Sequence, residues 1–159
     1  MASPRAIRRL AFQTLFQMDA RGGPDGDQIR MSLDDVEGFT PSERDKAFAL
    51  AEAAFAARDH SDREFALLAP QWPAHRQAST DRAALRLGHF ELTSGRVPPK
   101  VAVSEAVELA RVFGGKKSSG FVNGLLDRVL QRVLADQANT NGVDATSPGA
   151  PPAIAEETP

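Results

Sequence analysis

Residues 98–130, PPKVAVSEAVELARVFGGKKSSGFVNGLLDRVL, decide the fold. Val103, Val107 and Ala110, flanked by Ala106 and Phe113, fall on one apolar stripe. Phe121, Leu125 and Val129, with Val122, Leu126 and Leu130, fall on another. Spacings of three and four are those of a helix with one buried face, so the stretch predicts two amphipathic helices. A loop of glycine, lysine and serine joins them. It sets Lys116, Lys117, Ser118 and Ser119 just before the second helix, where unpaired backbone N–H groups attract anions. Two readings of this loop stand side by side: a phosphate contact, or a helix terminator followed by a capping serine. It is not a nucleotide-binding loop, because the G-x-x-x-x-G-K-[ST] spacing is absent and a helix precedes it. Asn123-Gly124 would suit a hairpin turn, but helical periodicity runs across it to Leu134. A glycine inside a helix costs about 1 kcal/mol relative to alanine. Close approach of a neighbouring helix is the expected reason for keeping it.

The rest of the chain repeats this pattern. A first helix is expected from Arg5 to Asp19, buried along Ile7, Leu10, Ala11, Thr14, Leu15 and Met18. A short acidic helix is expected within Gln28–Val36. Thr40-Pro41-Ser42-Glu43 reads as a capping box with proline at the first helical position, opening an alanine-rich helix to about Arg58. Ser61-Asp62-Arg63-Glu64 repeats that pattern and is expected to open a short helix to Leu68. Pro70 and Pro73 break the chain around Trp72. Ser79-Thr80-Asp81 starts a helix that is apolar on more than one face through Ala84, Leu85, Leu87 and Leu92, so it belongs at the centre. Ser94-Gly95 ends it. No segment reads as a strand. The fold class is all-α with about seven helices in residues 1–135, and residues 136–159 are expected to form a disordered tail that buries too little apolar surface to order itself.

Composition narrows the function. The 159 residues contain no cysteine, which excludes disulfides and thiolate metal sites. His60, His75 and His89 do not share a metal-binding spacing, so neither metal nor cofactor is expected. His89, next to Phe90 on the central helix, reads as a packed histidine. No apolar run reaches the roughly 18–20 residues that cross a bilayer, and the reading is a cytoplasmic protein with no membrane partner. The carboxylates lie mainly on polar helix faces without a histidine or nucleophilic serine beside them; Glu105 and Glu108 suit an exposed face, and no enzymatic activity is expected. The formal net charge is −2, yet residues 65–135 hold ten basic side chains against five acidic ones. Residues 1–24 hold four basic side chains and Asp19 alone against them. Two basic segments that meet in the fold would make one local patch for a nucleic acid.

Arg5, Arg8, Arg9, Phe12 and Phe16 lie on adjacent faces of the first helix. They read either as phosphate contacts with aromatic stacking groups or as a solvated basic edge above two core phenyl rings. Asp81 and Arg82 begin the central helix, where an acid in the first turn is favoured by the helix dipole without any partner.

At this point the chain resembles the NusB family of transcription antitermination factors. Val101–Gly115 (VAVSEAVELARVFGG) and Phe121–Asp127 (FVNGLLD) resemble the family's V-A-I-N-E-A-V-E-L-A-K-x-F-G and F-V-N-G-V-L-D signature. Asp81–Leu92 (DRAALRLGHFEL) resembles its central helix, and Arg5-Ala-Ile-Arg8 with Ala11, Gln13, Leu15 and Phe16 its arginine-rich first helix. The resemblance covers nearly all of residues 5–133. It implies two small helical bundles packed together. It also implies a heterodimer with ribosomal protein S10, binding of a boxA-type single-stranded RNA, and action on RNA polymerase elongation complexes with other antitermination factors, notably on ribosomal RNA operons. By this resemblance Arg5, Arg8, Arg9, Phe12, Phe16, Lys116, Lys117, Ser118 and Phe121 would face RNA. Asp81, Arg82 and Leu85 would face S10. The alternative is a self-associating RNA-binding helical module that works without S10. Two departures stand out: Arg9 replaces a usual glutamate, and Lys117 stands where an acid is common. Both make the surface more basic, so stronger binding of RNA by the isolated protein is expected than in acidic-loop relatives.

Overall fold

The computed structural model describes residues 1–21 and 26–146, with residues 141–146 as backbone alone. Among the described residues there are seven α-helices, one 3-10 turn and no strand: α1 (Pro4–Ala20), α2 (Gly26–Asp34), α3 (Pro41–Ala56), α4 (Arg58–Leu68), the 3-10 turn Ala74–Arg76, α5 (Ser79–Ser94), α6 (Pro99–Phe113) and α7 (Ser118–Thr146). None is long and apolar enough to cross a membrane.

Local chemistry sets most of these boundaries. Ser3 caps α1, its Oγ accepting the Ala6 N–H at 3.0 Å. The capping box at α3 forms as read: Thr40 Oγ1 accepts from Glu43 N–H at 3.1 Å, and Glu43 Oε1 accepts from Thr40 N–H at 2.9 Å. Glu43 Oε2 also accepts the Ala2 N–H, which ties the start of the chain to α3. Gly95, at φ 72°, closes α5 in the left-handed conformation that glycine adopts without a Cβ penalty.

Four expectations are corrected. Ser61 opens no helix. It lies buried inside α4, its Oγ donating to Ala57 O, because the chain turns from α3 into α4 at Ala57 with no side-chain cap. Regular structure does not stop at Asp136: α7 runs to Thr146, with Arg132 and Asp136 paired one turn apart. Apolar periodicity ends where burial ends, but helical hydrogen bonding continues without burial. The expected tail beyond residue 146 lies outside the described residues. Finally, a Cβ built on Gly124 would meet nothing within 4 Å. The close approach occurs at Gly88 instead, where a Cβ would lie 2.8 Å from Ala106 Cβ and from Leu126 Cδ1. Glu105, too, is no exposed carboxylate: Arg5 and Arg8 clamp it, and its side chain is only 12% exposed.

α1 packs on α3 with α2 beside them, and α5, α6 and α7 form the second bundle. α5 lies at the centre, touching α1, α3, α4, α6 and α7. Its Leu85, Leu87 and Leu92 are fully buried with Leu15, Met18, Phe65, Leu126 and Val129 from the surrounding helices. Burying side chains of this size contributes about 1.5–3 kcal/mol each before entropy is counted.

A set of arginine–carboxylate pairs, buried around Arg8 and Arg86 and open to solvent at Arg132, joins the bundles with one histidine–carboxylate bond. On one side Arg8 of α1 holds Glu91 of α5, with Nε–Oε1 at 2.9 Å. On another, Asp19 of α1 accepts from Arg82 and Arg86 of α5, and Arg86 continues to Asp62 of α4 at 2.7 Å. On the third, Glu64 of α4 bonds His89 Nε2 at 2.8 Å and Arg132 of α7 at 2.6 Å. Removing one member of such a pair leaves an uncompensated charge, so the set penalises any misplacement of α5.

His89 is 1% exposed, and burial holds its pKa below the ordinary histidine value in spite of the Glu64 contact. Bonding to Arg132 holds Glu64, and bonding to Arg5 holds Glu105, below the usual carboxylate range. The folded chain therefore binds fewer protons than the unfolded chain at all three groups. Stability is expected to fall in two stages on acidification: from about pH 6.5 downward through His89, then from about pH 4.5 downward through the glutamates. The first slope is at most about 1.4 kcal/mol per pH unit for one proton. Urea titrations at pH 7.5 and 5.5 check it, and His89→Gln should flatten the difference.

Candidate nucleic-acid interface

The two basic segments meet. Arg9 of α1 places its guanidinium over the Phe113 ring at the end of α6, 5.5 Å from the centroid. Phe113 leads directly into the lysine–serine loop. Beneath it the Phe12 ring packs on Phe113 with centroids 5.1 Å apart. A furrow lined by Arg5, Arg9 and Gln13 runs into a hollow lined by Gln13, Phe16, Phe113 and Thr80. Past Thr80 and Phe113 lies a groove of about 940 Å³ whose walls include Trp72, Arg76, Asp81, Lys116, Lys117 and Phe121. The furrow and the hollow share Leu10, Gln13 and Val36, and the groove begins at Asp81 and Gly115, just along the chain from Thr80 and Phe113.

Its charge is available. Arg9, Arg76, Lys116 and Lys117 are exposed and form no salt bridge among the described residues. Arg5 is also exposed, but its fork is held by Glu105, with Nη2–Oε2 at 2.7 Å. Half-buried Phe16, Phe113 and Phe121 line the strip between the cations. Cations interleaved with aromatic rings suit an unpaired strand, whose phosphates need charge and whose bases need flat apolar surface.

Not every residue read from the sequence reaches this surface. Phe12 is 2% exposed and offers no face to a base; it supports Phe113 from below. Arg8 is buried, and its donors go to Glu91 and Glu105. Ser118 is 6% exposed, and its Oγ accepts the Gly115 N–H at 2.9 Å, which shapes the loop from inside. The helix start is also partly used by the loop, since Ser118 N–H donates to Gly115 O and Phe121 N–H to Lys117 O. Gly114 has no room for a side chain: a Cβ there would lie 2.5 Å from Ser118 Oγ.

The three residues at the start of α5 divide in the same way. Leu85 is in the core. Arg82 spends its guanidinium on Asp19 and on the carbonyls of Ala74 and Gln77, so it anchors the preceding loop. Asp81 lines the groove, and its Oδ1 is a buried acceptor without a hydrogen-bond partner in the isolated chain. Buried acceptors are nearly always hydrogen-bonded, to protein or to water, so this oxygen is open to a donor from either. The sequence names Trp72 only as the residue between two prolines that break the chain, with no binding role. An aromatic side chain beside Arg76 in such a loop was the available signal.

Comparison with known proteins gives the family and the fold. Residues 5–131 match the model of the NusB family. The transcription antitermination protein NusB of Symbiobacterium thermophilum is 40% identical over 137 residues, which cover 81% of this chain and 90% of that protein. The solved structure of T. maritima NusB superposes with a TM-score of 0.72 at 29% identity, covering 82% of this chain and 93% of that one. A structure of antitermination factors NusB and NusE in complex with double-stranded RNA has the same fold, at a TM-score of 0.70 and 23% identity over 80% of this chain and 96% of that one. The match spans both bundles and the whole strip described above, and the chain belongs to the NusB family of transcription antitermination proteins.

Proposed function

We propose that this protein binds a boxA-type single-stranded RNA together with ribosomal protein S10 and supports elongation by RNA polymerase, notably on ribosomal RNA operons, in the cytoplasm. The observation that carries the reading is the contact of Arg9 with Phe113, which brings the basic first helix and the lysine–serine loop into one strip. Arg5, Arg9, Phe16, Lys116, Lys117 and Phe121 are assigned to the RNA. Arg8, Phe12 and Ser118 act through the surface they hold in place. Binding of a complex of NusB and NusE to RNA in a protein of the same fold supports the pairing with S10.

Asp81 is assigned to S10. Its unpartnered Oδ1 supports that role, and Arg82 and Leu85 position the helix that carries it. Asp81 lines the same groove as Lys116, so a bound S10 adjoins the RNA strip. S10 then adds contacts at the edge of the RNA, and each ligand tightens the other by the same factor.

Two variants separate the roles. Lys117→Asp is expected to weaken RNA binding and to lower the slope of log affinity against log salt by about 0.7 or more, with S10 binding unchanged. Asp81→Ala is expected to weaken the S10 complex, read as the mass of the mixture. Equal RNA affinity and equal salt slope for Lys117→Asp and wild type would remove the loop from the RNA surface.

A further inference from the structure

Trp72 is 48% exposed, and it is the only tryptophan of the chain. Its ring meets Phe121 edge to face, centroids 6.5 Å apart. The Arg76 guanidinium lies 5.5 Å from its centroid. All three stand in the groove that the Lys116–Lys117 loop walls on the other side.

The loop that carries the indole is held by its backbone. Trp72 N–H donates to Ala69 O at 2.9 Å, Gln77 Nε2 donates to Trp72 O at 3.0 Å, and Arg76 Nη1 donates to Gln71 O. Pro70 and Pro73 restrict the chain on either side. A large aromatic side chain is therefore fixed in a set position with about half its surface in water, and core packing does not explain that. Preorganised aromatic surface beside cations is what an unstacked base requires, since every base has a flat π-face and a phosphate next to it.

We propose that Trp72 is a base-stacking platform for one unpaired nucleotide of the RNA, with Arg76 and the lysine loop neutralising the adjoining phosphates. The inference rests on the RNA reading given above and extends its strip beyond Phe121. Arg76, Lys116 and Lys117 make the Trp72 side of the groove positive, which favours RNA there, with S10 at the Asp81 edge of the same groove.

The chain has no tyrosine, so intrinsic emission on excitation near 295 nm reports on Trp72 alone. Titration of the full chain with boxA-type single-stranded RNA is expected to quench that emission. Trp72→Ala is expected to bind the RNA about 5- to 100-fold more weakly, and Trp72→Phe to recover most of the loss. A series of RNAs, each with one base removed, locates the nucleotide: one position should weaken wild type and leave Trp72→Ala unaffected. Circular dichroism of each variant checks the fold. If wild type binds RNA and Trp72→Ala binds it equally well, the stacking site is refuted and the RNA reading stands. A response of the emission to S10 and not to RNA refutes it too, and gives the groove to a protein segment. If wild type binds no RNA with or without S10, the RNA reading itself falls.

Discussion

Arg8→Ala is expected to destabilise the fold by about 3 kcal/mol. The substitution removes the cation that faces Glu91, a carboxylate 3% exposed and held by two of the guanidinium nitrogens. Water cannot replace those bonds at such a depth, and breaking a buried pair from one side costs about 3–5 kcal/mol. The value belongs at the lower end, because 11% of the Arg8 side chain reaches solvent and Arg5 still neutralises Glu105. Urea denaturation followed by circular dichroism measures the loss. Replacing both partners, Arg8→Met with Glu91→Leu, should restore much of it, since no charge is then left buried. Arg5→Ala, at the exposed end of the same cluster, should leave the midpoint near that of wild type. The contrast matters for function. Lost RNA binding in Arg8→Ala reports on folding, and lost binding in Arg9→Ala reports on the surface.

Gly88→Ala is expected to cost about 1–3 kcal/mol, as overpacking of a filled interior does. The new Cβ would sit 2.8 Å from Ala106 Cβ and 2.8 Å from Leu126 Cδ1. The leucine methyl can rotate away, but Ala106 Cβ is fixed to the backbone of α6, so α5 and α6 must move apart. That displacement also strains the Arg8–Glu91 and Arg86–Asp19 pairs, because both arginine–carboxylate sets cross from α5. Gly124→Ala provides the opposite sign. Nothing lies within 4 Å of its Cβ position, so the helix keeps only the benefit of a better helix former, about 1 kcal/mol. Thermal or urea midpoints of the two variants should bracket wild type.

What the sequence revealed and what it hid follow the range of the interactions. The capping box at Thr40 and Glu43 spans three residues and was legible, as were the helices of residues 98–130. The Ser61–Glu64 pattern has the same letters, but Ser61 is buried within α4 and Glu64 is drawn to His89 and Arg132, so a distant contact overrode a local preference. Arg8 and Glu91 are 83 positions apart, and Asp19 and Arg86 are 67 apart; no spacing rule announces such pairs. Phe12 and Phe16 lie about 40° apart around a helix of 3.6 residues per turn, near enough to share one stripe on paper. The packing of α6 falls between them, covering Phe12 and leaving Phe16 half-buried at the surface. Trp72 was hidden for a different reason: a loop has no periodicity, so only the fold could bring it beside Phe121.

The exposed cations of the strip are proposed to contact RNA phosphates. The most direct test is the affinity of a labelled boxA-type single-stranded RNA, measured by anisotropy across salt with S10 present. It compares wild type with the double variant Lys116→Gln/Lys117→Gln. Each lost phosphate contact lowers the slope of log affinity against log salt by about 0.7, so the double variant should bind more weakly at low salt with a slope shallower by about 1.4. Identical affinity and identical slope for the two proteins would contradict the claim.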